Sequence, residues 1–218
     1  MATKAYKGLG MEGRVARWYA KITRKNTQEL HELAEQIVTT LPPGARILEV
    51  APGPGYLAIE LARRDTFTVA GIDISHTFVE MARQHAREQG VTVDFRQGDA
   101  AHLPFADASF DLLVCRAAFK NFSEPVRALQ EMHRVLAPGG TALIIDLRSD
   151  ASRDTVYDHV EQMKLSRWST LMTKWTFRFM LLKRAYTRSQ FEAMIAQSGF
   201  ANSHIETWPI GFEIRLQK

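Results

Sequence analysis

Short, solidly apolar runs alternate with amphipathic stretches along most of this chain. Arg46 to Ala51 (RILEVA) is bounded by Pro42-Pro43-Gly44 before it and Pro52-Gly53-Pro54-Gly55 after it, the punctuation of a buried strand. A helix is predicted over Tyr56 to Arg64, then a second strand over Phe67 to Asp73 (FTVAGID). Ser75 can cap a helix that runs to about Gln89, with Gly90 at its end, the residue types favoured at those two positions. Further strands follow at Val91 to Arg96, Phe110 to Arg116 (FDLLVCR) and Thr141 to Leu147. Between the last two lies a helix from Ser123 to Leu136, opened by Pro125 and closed by Pro138-Gly139-Gly140.

Strands that are apolar on both faces and separated by helices imply a parallel sheet covered on both sides. The ends of the chain differ from this centre. Residues 12 to 40 read as two helices, the second starting near Asn26, and three helical stretches follow Leu147. The last of these opens with Thr187-x-x-Gln190, a capping box, and stops near Gly199. Two strands, 201 to 207 and 211 to 217, straddle Pro209 and are expected to pair antiparallel at an edge. The expected organisation is one domain: an N-terminal helical cap (1–40), a core (41–148), a helical lid (149–199) and a terminal strand pair (200–218). In such a fold, ligands bind at the carboxyl ends of the strands.

Composition narrows the class. With 218 residues, 45% apolar and 24% charged, the chain has ordinary globular usage, which excludes disorder, collagen and a pure coiled coil. The single cysteine, Cys115, excludes an intrachain disulfide and a structural zinc finger, and fits a reducing compartment. The first residues lack the apolar stretch of a signal peptide, and no run approaches a membrane span, so a cytoplasmic location is expected. The net charge of +4 is concentrated: between Glu161 and Glu192 there is no acid, but there are Lys164, Arg167, Lys174, Arg178, Lys183, Arg184 and Arg188.

The loop after the first strand carries the candidate chemistry. Gly53 and Gly55 let the backbone turn sharply and lie against a ligand. With Ala58 they satisfy G-x-G-x-x-A, and Asp73 follows Gly53 by 20 residues at the end of the second strand, where a carboxylate can accept from ribose hydroxyls. The pattern points to a nucleoside-bearing cofactor, and by itself it also allows an NAD(P)-dependent reductase with a Rossmann fold.

Five motifs in order are far more specific than the glycine pattern alone. Glu49 precedes Gly53 by four residues, as in E/D-x-x-x-G-x-G. The others are Gly71-Ile72-Asp73-Ile74-Ser75, Gly98-Asp99-Ala100 with Leu103-Pro104-Phe105, Phe110-Asp111, and the run from Glu131 to Gly140 (EMHRVLAPGG). Over about residues 40 to 148 the chain resembles the class I S-adenosylmethionine-dependent methyltransferases of the methyltransferase-11 type. The resemblance implies a Rossmann-like, doubly wound, seven-stranded α/β sheet whose only antiparallel strand is the last. It implies S-adenosyl-L-methionine as cofactor and S-adenosyl-L-homocysteine as product. Glu49, Ala51, Gly53 and Gly55 would face the methionine part, Asp73 the ribose, Ile74 an adenine face, and Asp99 with Ala100 the adenine edge. This cofactor has no pyrophosphate, so Pro52 and Pro54, which lack an N–H, are tolerated in the loop. The simpler readings are a capping carboxylate for Glu49 and an Asx turn for Asp99.

The acceptor is less legible, because the cofactor supplies the reactive group and a dedicated base is optional. After the fourth strand the chain reads Arg116-Ala117-Ala118-Phe119-Lys120-Asn121-Phe122, without the D/N-P-P-Y/F of enzymes that methylate nucleobase amines. Cys115 lies inside an apolar strand, where an inert thiol is expected. A small-molecule acceptor is therefore expected and nucleic acid is not, although the basic lid leaves RNA methylation as an alternative. Phe119 to Phe122 and the following helix resemble the quinone-pathway C-methyltransferases, in which an Arg-Asn pair stands where Lys120-Asn121 stand here. Arg116, charged at the buried mouth of a strand, is expected either to meet an internal carboxylate or to face a ligand, and it is counted among the cofactor-binding candidates.

Tyr19, His102, Arg116 and Lys120 are the catalytic candidates, with no base assigned, and the seven histidines lack metal-ligand spacing. Trp168, Leu171, Met172, Trp175, Phe179 and Leu182 follow helical spacing and cover an arc of about 100°. Either this helix packs on the domain, or it is a lid whose Trp168, Met172 and Trp175 contact a compact, lipophilic or aromatic acceptor and which rests on a membrane surface.

Overall fold

The computed structural model describes residues 6–7, 10–23, 27–64, 66–162, 167–177 and 181–218. Seven strands are present: β1 (Arg46–Val50), β2 (Thr68–Asp73), β3 (Asp94–Gln97), β4 (Phe110–Arg116), β5 (Leu136–Leu147), β6 (Asn202–Trp208) and β7 (Gly211–Gln217). They form one sheet in the order β3-β2-β1-β4-β5-β7-β6. β1 to β5 pair in parallel, while β7 runs antiparallel to both neighbours, β5 and β6. The expected terminal pair forms, but its second strand is inserted between the first and the core.

Alternate residues of the central strands feed opposite layers, which is why these strands read as unbroken apolar runs. Leu48, Leu113 and Cys115 join one core with α5 (Pro125–Val135) and α8 (Arg188–Ile195). Ile47, Leu112 and Val114 join the other with α2 (Thr27–Val38), α3 (Tyr56–Ala62) and α4 (His76–Glu88). Ser75 caps α4 by accepting from Phe78 N–H, and Thr187 with Gln190 forms the capping box of α8. The remaining helices are α1 (Gly13–Thr23), α6 (Arg153–Gln162) and α7 (Arg167–Thr176).

Several boundaries differ from expectation. β5 begins at Leu136, which already pairs with Phe110. The Pro138-Gly139-Gly140 turn is an irregularity in the ladder rather than a spacer, with Thr141 resuming opposite Leu112. β3 is confined to Asp94–Gln97 and α2 starts at Thr27, while Asn26 lies outside the described residues. Within the expected lid helix, α7 ends at Thr176, Phe177 and Leu181 are π-helical with Leu182 N–H donating to Phe177 O at 3.0 Å, Leu182 itself falls in a turn, and Arg178 and Phe179 lie outside the described residues. No helix among the described residues is long and apolar enough to cross a membrane.

Candidate cofactor and acceptor site

The strand order reverses between β1 and β4, so the helices that follow them diverge to opposite faces and leave a crevice at their carboxyl ends. The β1 side of that crevice is shaped by backbone conformation. Ala51 turns out of the strand at φ 59° and donates to Ile72 O at 2.7 Å. Gly53 and Gly55 follow at φ 55° and 81°. A Cβ at Gly55 would lie 2.8 Å from both Ala82 Cβ and Phe95 Cζ, so this position needs glycine for conformation and for space.

Two buried carboxylates hold this loop at its ends. Glu49 Oε2 accepts from Ala58 N–H at 2.8 Å, in the first turn of α3. Burial pushes its carboxyl up to about 7, against the opposing pull of the Ala58 bond and the Arg116 charge. Asp73 Oδ2 accepts from Gly53 N–H at 2.9 Å and its Oδ1 from Ser75 N–H at 2.9 Å. Burial raises it to about 6. The sequence-assigned ribose carboxylate thus also fixes the glycine loop.

The adenine side is a turn clasped onto α5. Asp99 Oδ1 accepts from Ala101 N–H at 2.9 Å, an Asx turn, and Asp99 Oδ2 lies 4.0 Å from the exposed ring of His102. Ala100 packs against the core and Ile74 is partly exposed at the end of β2. Arg134 binds the carbonyls of Leu103 and Phe105, the Asp107 carboxylate and Glu131, whose Oε2 also accepts from Leu103 N–H. The Arg134 bonds hold the Glu131 carboxyl below its ordinary range. The EMHRVL motif therefore anchors the turn that carries Asp99 and Ala100.

On the β4 side, the catalytic candidate Lys120 is held in a buried ion pair: its Nζ is 2.8 Å from Asp146 Oδ1 and donates to Ala117 O at 2.5 Å, and both partners of the ion pair are buried. Asp146 Oδ2 also accepts from Lys120 N–H. Asn121, next in the 3-10 turn over residues 119–121, is buried, and its Oδ1 has no hydrogen-bond partner among the described residues. Arg116 pairs with Glu29 of α2 at 2.7 Å, an exposed carboxylate rather than the expected internal one, and its charge also acts on Glu49. Cys115 is buried and its thiol is pushed well up by burial, as an inert core thiol should be.

Over this side lie two tyrosines. Tyr19 of α1 packs edge-on to Phe78, and Tyr6 forms a bridge with Phe122 while its neighbour Lys7 donates to Asn121 O. Burial raises both hydroxyls, and the charges of Asp73 and Asp146 reach each of them. Tyr6 and Asp146 were missed at the sequence level. An acid ending an apolar strand (Ile144-Ile145-Asp146) was a usable signal for the second, whereas nothing local marks Tyr6. Trp168, Met172 and Trp175 all lie on α7 with solvent-exposed side chains. No group of three or more His, Cys, Asp or Glu among the described residues could hold a metal ion.

The family profile described as a methyltransferase domain matches residues 48–144. Residues 48–144 thus resemble a methyltransferase domain. Among relatives, a demethylmenaquinone methyltransferase of Deinococcus radiodurans is 40% identical over 108 residues, which cover 49% of this chain and 45% of that protein. An uncharacterized methyltransferase of Bacillus subtilis, YcgJ, is 30% identical over 168 residues, 71% of this chain and 65% of that protein. The chain spans about half the length of several of the curated relatives it matches. A solved structure from Methanococcus maripaludis superposes at TM-score 0.77 and 19% identity over 100% of this chain and 97% of that one. The [4+2]-cyclase SpnF does so at 0.65 and 22%, over 86% and 80%, so the fold alone does not fix a reaction.

S-adenosylmethionine is the cofactor of this methyltransferase class, rather than the nicotinamide that G-x-G-x-x-A allowed. The residues present fit it. Glu49 is a buried carboxylate raised by desolvation, the kind of group whose charged form a neighbouring cation favours. A loop with prolines at 52 and 54 suits a ligand without pyrophosphate.

Proposed function

We propose that this chain transfers a methyl group from S-adenosylmethionine to a small, lipophilic aromatic acceptor bearing hydroxyl or oxo groups. One observation carries the reading. The hydroxyls of Tyr6 and Tyr19, both raised by burial, lie within reach of the charges of Asp73 at the end of β2 and Asp146 at the end of β5. Tyr19 packs on Phe78 of α4, the helix after β2, and Tyr6 bridges Phe122 just after β4, so the two flank the crevice at the carboxyl ends of these strands. S-adenosylmethionine supplies an electrophilic methyl carbon on a cationic sulfur.

The task left to the protein is to orient the acceptor and exclude water. Raised phenols stay protonated at neutral pH and donate hydrogen bonds, while the Asn121 side-chain Oδ1 accepts one. A ring with oxygen substituents satisfies both kinds of partner, and its face suits the rings of Tyr6 and Tyr19. Lys120 acts through Asp146, holding the 3-10 turn against β5, and is a positioning residue. The names of the Deinococcus and Thermus relatives specify a menaquinone precursor, a substrate of the same chemical type.

The test is methyl-label transfer into a panel of naphthoquinols, catechols, aliphatic amines, carboxylates and RNA. Label is expected in the aromatic hydroxylated acceptors. Tyr6→Phe and Tyr19→Phe should raise the acceptor KM and leave the dissociation constant of S-adenosylhomocysteine unchanged. Label appearing only in amines or RNA overturns the acceptor class.

A further inference from the structure

The apolar side chains that remain in water are not scattered. Among the described residues, every exposed large hydrophobic except Ile74 lies on α1 or α7: Val15, Trp18 and Ile22 on the first, Trp168, Leu171, Met172 and Trp175 on the second. Trp18 is 63% exposed and Trp168 72%, unusual for the largest apolar residue. On α1 the three apolar residues fall within about 60° of one another at about 100° per residue. The exposed Arg14, Arg17 and Lys21 border them on one side, and Ala16 and Ala20 are buried on the other. α1 contains no acid. The nearby acids are engaged elsewhere: Glu12 accepts from the His76 and Thr77 N–H groups, Glu29 pairs with Arg116, and Glu161 with Lys174.

Both helices belong to the carboxyl end of the sheet. Gly13 N–H donates to Thr77 and Ser75 donates to Met11 O, which ties the start of α1 to the start of α4 just past β2. The excursion containing α6 and α7 leaves β5 at Leu147 and returns where Tyr186 bridges Arg148. Seven Lys or Arg and no acid occupy residues 162–191.

We propose that α1 and α7 are interfacial anchors that seat the carboxyl end of the sheet, with the mouth of its crevice, on an anionic lipid surface. Exposed tryptophans on apolar arcs, bordered on α1 by Arg14, Arg17 and Lys21, are the side-chain chemistry of that boundary, and charge complementarity selects acidic headgroups over neutral ones. A lipophilic acceptor would then reach the crevice from the bilayer, but the anchoring itself requires no turnover and stands or falls separately from the acceptor class.

The experiment is co-sedimentation of the full chain with vesicles of phosphatidylcholine alone and of phosphatidylcholine mixed with phosphatidylglycerol, read together with tryptophan emission. Binding is expected only with phosphatidylglycerol, with a blue shift and loss at high salt. The variant Arg14→Gln/Arg17→Gln/Lys21→Gln should bind on the order of a hundredfold more weakly, roughly fivefold per cation removed. Trp18→Ala/Trp168→Ala should lose about tenfold or more, with thermal unfolding unchanged in both variants. No sedimentation with anionic vesicles overturns the proposal, as does equal binding to neutral ones. A dimer in light scattering that the tryptophan variant abolishes assigns these faces to a second copy instead. A blue shift induced by S-adenosylhomocysteine without vesicles assigns them to closure over the site.

Discussion

Glu49 provides the sharpest quantitative test of the cofactor site. Its carboxyl is raised from an ordinary 4.5 to about 7, chiefly by burial. At about 1.4 kcal/mol per pH unit, keeping it ionised in the folded, ligand-free protein costs about 3 kcal/mol. The sign follows from proton binding. Between 4.5 and 7 the folded state holds a proton that the unfolded state has released, so this contribution to stability is whole below 4.5 and is lost as the pH rises through 7. Glu49→Gln removes the ionisation while leaving a carbonyl to accept from Ala58 N–H.

Urea denaturation at about pH 8 should therefore find the variant more stable than the parent by up to about 3 kcal/mol, and nearly equal to it at about pH 5. Titration with S-adenosylmethionine should show the opposite: weaker binding by the variant, because the cation loses its counter-charge. In the parent near neutral pH, binding should release a proton, visible as a dependence of the heat on buffer ionisation enthalpy. A variant destabilised equally at both pH values would refute the buried-carboxylate account, and unchanged binding would remove Glu49 from the cofactor site.

Asp73→Asn should weaken S-adenosylhomocysteine binding by about 1 to 3 kcal/mol in calorimetry, the range for losing a charged hydrogen-bond partner, and an unchanged constant would refute the ribose assignment. Lys120→Ala should destabilise the fold by about 3 to 5 kcal/mol by leaving Asp146 buried without its counter-ion; a loss below about 1 kcal/mol in urea unfolding would show the pair to be dispensable. Gly55→Ala should lower the thermal midpoint strongly, since its Cβ would meet Ala82 and Phe95 at 2.8 Å from a left-handed backbone that costs alanine about 1 to 2 kcal/mol. An unchanged midpoint would mean that α4 yields readily.

The central strands and the cofactor loop were legible because their determinants are local. An apolar run such as RILEVA can satisfy its backbone only in a sheet buried on both faces, and the glycines after it fix where the chain turns. The acceptor side was not legible, because its contacts are long-range. Lys120 meets an aspartate 26 residues on, in the neighbouring strand, and Arg116 meets a glutamate 87 residues back on α2. A sequence pattern reports that Lys120 follows a strand, but whether its ammonium reaches water depends on which side chain the parallel pairing of β4 and β5 brings opposite. The terminal pair shows the same limit. Its antiparallel character follows from the short connection at Pro209, but the insertion of β7 beside β5 is decided by the seven-residue ladder from Thr141 to Leu147.

The unfavourable elements of this fold share one location. Ala51 and Ala117, two of the three non-glycine residues with positive φ among those described, end β1 and β4, the two strands at which the sheet reverses direction. The raised carboxyls of Glu49 and Asp73 and the orphan side-chain Oδ1 of Asn121 lie at the same carboxyl end. Left-handed alanines and buried, partly satisfied polar groups each disfavour the folded state by about 1 to 3 kcal/mol. They persist because both faces of the sheet are packed and because clasps such as Arg134 on Glu131 hold the surrounding turns. A ligand that carries a cation for Glu49, hydroxyls for Asp73 and a donor for Asn121 relieves several of these at once. The crevice should therefore gain more thermal stability from cofactor and acceptor together than from the sum of their separate shifts, provided the second ligand finds its partners already ordered by the first.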